Sequence, residues 1–140
     1  MNNSSNKKIH KRLLTVLSLV IITAGSVFVF TMSGKSQEER RNREYEVSLV
    51  NALKNSYQGI KEIKISNPEY TNPPGSWSCD VEIKFNDERK INYRIGHGLH
   101  DKKNYQGSLT NEKRQFLNNY KGETDLKVIV TYSDNSTGEQ

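Results

Sequence analysis

The chain has little cysteine: Cys79 is the only one in 140 residues. No intramolecular disulfide can form, so a disulfide-stapled miniprotein is excluded and the fold must hold on packing alone. There is no glycine-rich phosphate loop, no G-x-S-x-G elbow, no H-E-x-x-H pair and no Cys-x-x-Cys. Carboxylates are scattered along polar faces rather than paired, so the sequence lends an enzyme no support. Only one long apolar run is present, which excludes a polytopic membrane protein, and the length excludes a large enzyme with its own cofactor domain. Mean hydropathy is −0.82, an average that hides a sharp segregation.

The apolar run opens at Leu13, closes at Met32 and contains no charged residue. As a helix it would extend about 30 Å, the thickness of one hydrocarbon core. Before it stand Lys7, Lys8, Lys11 and Arg12 with no acid; after it, 17 Lys/Arg face all 16 Asp/Glu. The formal charge of +5 is therefore almost wholly a basic tail abutting an apolar stretch. A nucleic-acid binder would carry a basic stripe on its folded part, with aromatics interleaved for stacking, and neither pattern occurs.

A cleaved signal peptide shares this grammar, but its apolar region is usually about 7–15 residues. Thr31-Met32-Ser33 is a poor cleavage site, and cutting after Ala24-Gly25-Ser26 would leave Val27-Phe28-Val29-Phe30 exposed. An anchor is favoured, and a secreted domain stays as an alternative. The proximity of the basic tail to the run favours a cytoplasmic N-terminus and a C-terminal part outside. The expected organisation is a cytoplasmic tail over residues 1–12, a transmembrane helix over 13–32 in the lipid bilayer, a charged juxtamembrane helix over 33–48, an extracytoplasmic domain over 49–132 and a disordered tail over 133–140.

Ser36-Gln37-Glu38-Glu39 fits a capping box. Tyr45, Leu49, Leu53 and Tyr57, with Val50 beside them, form one apolar stripe, and Gly59 supplies a stop. These signals predict a helix over residues 37–57. Trp77, Cys79, Val81, Ile83 and Phe85 alternate with polar residues, as do Ile91, Tyr93 and Ile95 after the polar turn Asn86-Asp87-Glu88-Arg89. The pair reads as a β-hairpin. Ile63 and Ile65 mark a short strand before a breaker-rich stretch, residues 67–75, that reads as loop. Residues 110–120 allow a short helix, with Phe116, Leu117 and Tyr120 on one side. Leu126, Val128, Val130 and Tyr132 mark a last strand. The expected fold class is α+β, an amphipathic helix on a small antiparallel sheet of about four strands. So thin a core would gain from a covering partner.

Three groups could carry function. His97, His100 and Asp101 are the only cluster of metal-competent or acid/base side chains. They offer imidazoles for zinc or copper but lack further ligands, so a polar loop is favoured over a metal-dependent or hydrolytic site. Cys79, on the apolar side of a strand, reads as a buried thiol rather than a nucleophile. Trp77 and Tyr70, with Pro74 in the Pro73-Pro74-Gly75 bend, could form an aromatic partner-binding patch, although strand packing explains the same residues. No cofactor is implied.

The basic tail Lys7-Lys8…Lys11-Arg12, the single span, the charged helix, Ile63-Lys64-Ile65, the breakers Asn67-Pro68 and Asn72-Pro73, and the hairpin ending at Ile95 make up a layout. It resembles that of small N-terminally anchored proteins of unknown function from Gram-positive bacteria. The resemblance implies a cystatin-like two-layer α+β domain outside the membrane. It also implies a non-enzymatic, protein-binding role in the cell envelope, with immunity to secreted toxins as one option.

Overall fold

The computed structural model describes residues 34–140 in full. Of the segment before them it describes only the backbone of two strands, β1 (Ser18–Thr23) and β2 (Ser26–Thr31), which pair antiparallel with Ser18 opposite Thr31. The basic tail expected over residues 1–12 lies outside the described residues. Of the expected membrane helix over 13–32, residues 13–17, 24–25 and 32 and every side chain lie outside the described residues, and what is described is the backbone of β1 and β2. Among the described residues no helix is long and apolar enough to cross a membrane.

Helix α1 (Gln37–Ser56) begins as its sequence dictates. Ser36 Oγ accepts the Glu39 N–H at 3.2 Å, and Glu38 and Glu39 sit in the first turn, where the helix dipole favours negative charge. Gly59, at φ +71°, provides the left-handed backbone that ends the segment. The stripe predicted for this helix is its buried side: Val47, Leu49, Val50, Ala52 and Leu53 are fully buried. Residues 41–140 form one compact unit.

The helix covers one face of a five-stranded sheet whose order is β5 (Lys90–His97), β4 (Ser76–Phe85), β3 (Ile60–Thr71), β6 (Ile129–Thr131), β7 (Thr137–Glu139). Strand β3 pairs antiparallel with β4, and β4 with β5. Every second residue of the hairpin, from Trp77 to Phe85 and from Ile91 to His97, is buried, while the alternate residues reach solvent and, Gly96 apart, are polar. A period of two with one wet face thus holds over the whole predicted hairpin.

Three features depart from the expected sheet. First, β3 does not stop at Ile65 but runs to Thr71 through a bulge between Ser66 and Glu69. Asn67 adopts φ +49° there, and the bulge leaves Pro68 outside the ladder, where its missing N–H costs nothing. The breakers of residues 67–68 mark a bulge, and the true turn shrinks to residues 72–75.

Second, the sheet is mixed. From β5 at one edge the chain passes through helix α2 (Asn111–Asn118) and returns beyond β3, so β6 (Ile129–Thr131) lies parallel to β3 with Ile63 opposite Val130. Thr110 caps α2 by accepting the Lys113 N–H at 3.3 Å. Leu117 is fully buried, and Tyr120 stacks on Phe85 at 3.7 Å between ring centroids. Leu126, expected to point inward, is 77% exposed; the buried residues of that segment are Val128, Val130 and Tyr132.

Third, residues 133–140, expected to be a disordered tail, turn back and form β7 (Thr137–Glu139) antiparallel to β6. Gln140 and Val128 exchange two backbone hydrogen bonds, at 2.8 and 3.0 Å. Buried Gln140 donates its Nε2 to the Val47 carbonyl at 2.8 Å and to Asn51 Oδ1 at 2.7 Å, and its carbonyl accepts from Lys54 Nζ at 3.0 Å. Arg43 holds the preceding turn, bonding Asp134 at 2.8 Å and Ser136 at 2.7 Å. Buried Glu46 accepts the Ser133 N–H at 3.1 Å. A polar composition therefore encodes an edge strand whose partners are polar groups of α1.

Candidate functional site

His97, His100 and Asp101 do not converge. His97 ends β5 on the buried side, with its Nε2 2.8 Å from Ser48 Oγ of α1. Ser48 Oγ also lies 3.0 Å from the Leu99 carbonyl. That carbonyl can only accept, so the single hydroxyl proton points to it, and His97 Nε2 supplies the hydrogen of the other bond. The ring is thus a donor facing Ser48, the reverse of what a base activating a serine would need. Burial holds the His97 pKa down to about 4, against the charge of Asp101, so the ring is neutral at pH 7. Asp101 Oδ2 accepts the Gly98 N–H at 2.9 Å and closes the loop. His100 is exposed. Among the described residues no group of three His, Cys, Asp or Glu side chains could hold a metal ion. Ser48 was invisible to the sequence reading, because nothing in a helical stripe announces a polar residue that staples a helix to a loop.

Cys79 is fully buried within β4, and burial pushes its thiol far above the ordinary range. A nucleophile needs the thiolate, so this position is inert in the folded protein.

The aromatic group is brought together, but inward. Trp77 is 2% exposed, stacks on Tyr45 at 5.2 Å and donates Nε1 to Asn42 Oδ1 at 3.1 Å. Tyr70 is half-buried with the Arg41 guanidinium 4.0 Å from its ring centroid, and Pro74 is exposed. Trp77 thereby pins the start of the compact part of α1 to β4 and presents no surface to a partner.

What faces outward is the other side of the sheet. Lys64, Ser66, Ser78, Asp80, Glu82, Asn92 and Arg94 reach solvent there. Arg94 is the hub. It bonds Asp80 at 3.1 Å, Glu69 at 2.8 Å, Ser78 at 3.0 Å and the Asn67 carbonyl at 3.3 Å, tying β5 across β4 to the bulge of β3. Hydrogen bonds from Asn67 and Arg94 hold the Asp80 carboxyl below the usual carboxylate range. Two shallow depressions of about 370 and 430 Å³ meet at Tyr93, Arg94 and Lys113. The larger runs between β5 and the segment Ser108, Leu109, Thr110 and Lys113. The alternation predicted a wet face, but neither Arg94 as its organiser nor Lys113 as its wall, since both depend on pairing between distant segments. No family model, no curated protein and no solved structure matches the chain.

Proposed function

We propose that this chain is a single-pass membrane-anchored protein, held by residues 13–32 with its N-terminus in the cytoplasm, and that its α+β domain is a non-enzymatic protein-binding module of the cell envelope. The observation that carries the reading is the one-sided cover of the sheet. α1 packs on one face, while the opposite face is polar and open among the described residues. A small domain that leaves half of its sheet in water keeps that surface free for another macromolecule. The side chains best suited to chemistry support the same reading, because His97, Cys79 and Asp101 are each engaged in packing or loop closure. An immunity-like role, in which the domain captures a toxic protein at the cell surface, is one form of this activity.

Site-specific photo-crosslinking in living cells tests it. A photoreactive residue is placed in turn at Lys64, Asn92, Lys127 and Glu139 of the full chain, all exposed in the structure. Discrete protein adducts from some positions and not others are expected. Adducts absent from every position in a membrane-localised, folded protein would contradict a protein-binding role.

A further inference from the structure

Strand β5 lies at the edge of the sheet, and the register identifies which of its backbone groups are unpaired. Phe85 N–H bonds the Arg89 carbonyl at 2.9 Å, so pairs two residues apart from that one, Ile83/Ile91, Val81/Tyr93 and Cys79/Ile95, exchange hydrogen bonds within the hairpin. Asn92, Arg94 and Gly96 then direct their N–H and C=O groups away from β4. Lys113 Nζ confirms the direction by donating to the Asn92 carbonyl at 2.7 Å. The outward backbone groups of Arg94 and Gly96 have no partner among the described residues. The 430 Å³ groove lies along this edge, walled by Leu109, Thr110 and Lys113.

Charge selects the occupant. Residues 90–114, which form β5, the following loop and the start of α2, contain six Lys/Arg and two Asp/Glu. The rest of the chain from residue 33 on has eleven Lys/Arg and fourteen Asp/Glu. The excess of positive charge outside the N-terminal tail is therefore gathered in this stretch; Arg94 and Lys90 pair with Asp80, Glu69 and Glu82 on the polar face, and Lys102, Lys103, Lys113 and Arg114 carry the surplus. Its two acids are also placed away from the groove's centre: Asp101 is tied to Gly98, and Glu112 is absent from the groove lining. The same loop exposes two large apolar side chains, Leu99 at 41% and Tyr105 at 75%. A second copy of β5 paired antiparallel about Asn92 would set Lys90 of each copy opposite Arg94 of the other, a like-charge pairing of the kind edge strands use to avoid one another.

We propose that the free edge of β5 is a strand-addition site for an extended, acidic segment of another protein. The added strand bonds the outward groups of Arg94 and Gly96, and Lys113 leaves the Asn92 carbonyl to pair with a carboxylate of the incoming chain. This deepens the protein-binding reading above and rests on it.

The test uses the full chain in detergent micelles and two seven-residue peptides, one alternating valine with glutamate and its valine–lysine counterpart. Amide hydrogen exchange is followed by NMR. In the free protein the Arg94 and Gly96 amides exchange fast while those of Tyr93 and Ile95 are protected. The glutamate peptide is expected to slow Arg94 and Gly96 and leave Tyr93 and Ile95 unchanged; the lysine peptide is expected to do neither. Gly96→Pro removes one outward donor at a position where the ladder to β4 does not use the N–H, and should weaken peptide binding about tenfold. Lys113→Glu, on the surface of α2, should reverse the preference between the two peptides with the fold intact by Trp77 emission. No slowing at Arg94 and Gly96 with millimolar glutamate peptide overturns the proposal, as does slowing in the absence of peptide that rises with protein concentration, which would mean a dimer edge. Peptide protection mapping elsewhere and insensitive to Gly96→Pro rejects this edge while leaving the protein-binding reading standing. That reading fails separately, in the crosslinking experiment.

Discussion

Acid should loosen this domain, and one buried side chain makes a separable contribution to the loss. In an unfolded chain the His97 imidazole titrates near 6.5, and in the folded protein burial holds it at about 4. Between those values the unfolded chain binds more protons than the folded one, so stability is whole above about 6.5 and is lost as pH falls toward 4. The ring is 7% exposed, and the linkage relation places the loss from His97 at about 2–3 kcal/mol between pH 7 and pH 4.5. For a small domain that is a large share of the total. Glu46 works in the opposite direction, because burial raises its pKa above 4.5 and the folded state takes up its proton first. A His97→Gln variant separates the two: it keeps an N–H donor near Ser48 but does not titrate. Urea unfolding of the full chain in micelles can be read from Trp77, the only tryptophan, whose buried ring reports exposure on unfolding. The wild-type midpoint should fall with pH relative to the variant by an amount equivalent to about 2–3 kcal/mol at pH 4.5. Parallel pH profiles for the two proteins would refute the reasoning and would mean that solvent reaches the ring.

Trp77→Ala should cost about 4 kcal/mol, measured by far-ultraviolet circular dichroism on heating; a loss below about 1 kcal/mol would mean the indole contributes little to the core. Cys79 should react with a maleimide only as fast as the domain opens, so adding urea accelerates labelling; rapid labelling of the native protein would contradict its burial. Gln140→Ala removes two side-chain bonds to α1, to the Val47 carbonyl and to Asn51 Oδ1, and should cost about 1–2 kcal/mol. The Val128 amide, paired with Gln140, should lose exchange protection along with that stability, and an unchanged exchange rate would show that β7 does not hold the edge.

Elements governed by local periodicity were legible from sequence. The α1 stripe, the cap at Ser36 and the β4–β5 hairpin are each written within a dozen or so residues, and the alternation of Trp77 to Phe85 leaves one face buried and one wet. What depends on distant partners was not. Asn67-Pro68 reads as a breaker in isolation and becomes a bulge because Asp80 and Arg94 hold it from neighbouring strands. Residues 133–140 look solvated because their stabilising contacts, Arg43, Glu46, Lys54 and Asn51, lie about ninety residues earlier on α1. The parallel place of β6 follows from the path around α2, which no short window encodes. The site residues divide in the same way. Burial of Cys79 is implied by its strand, whereas the pairing of His97 with Ser48 and the edge formed by β5 and Lys113 emerge only in the folded chain.

Protease protection on intact cells carrying a C-terminal tag tests the proposed arrangement most directly. The account predicts full-length protein in the membrane fraction, with the tag removed by protease added from outside once the wall is stripped. A tag protected until the membrane is broken would invert the topology and take the domain out of the envelope. A shortened form released into the medium would replace the anchor with a cleaved signal.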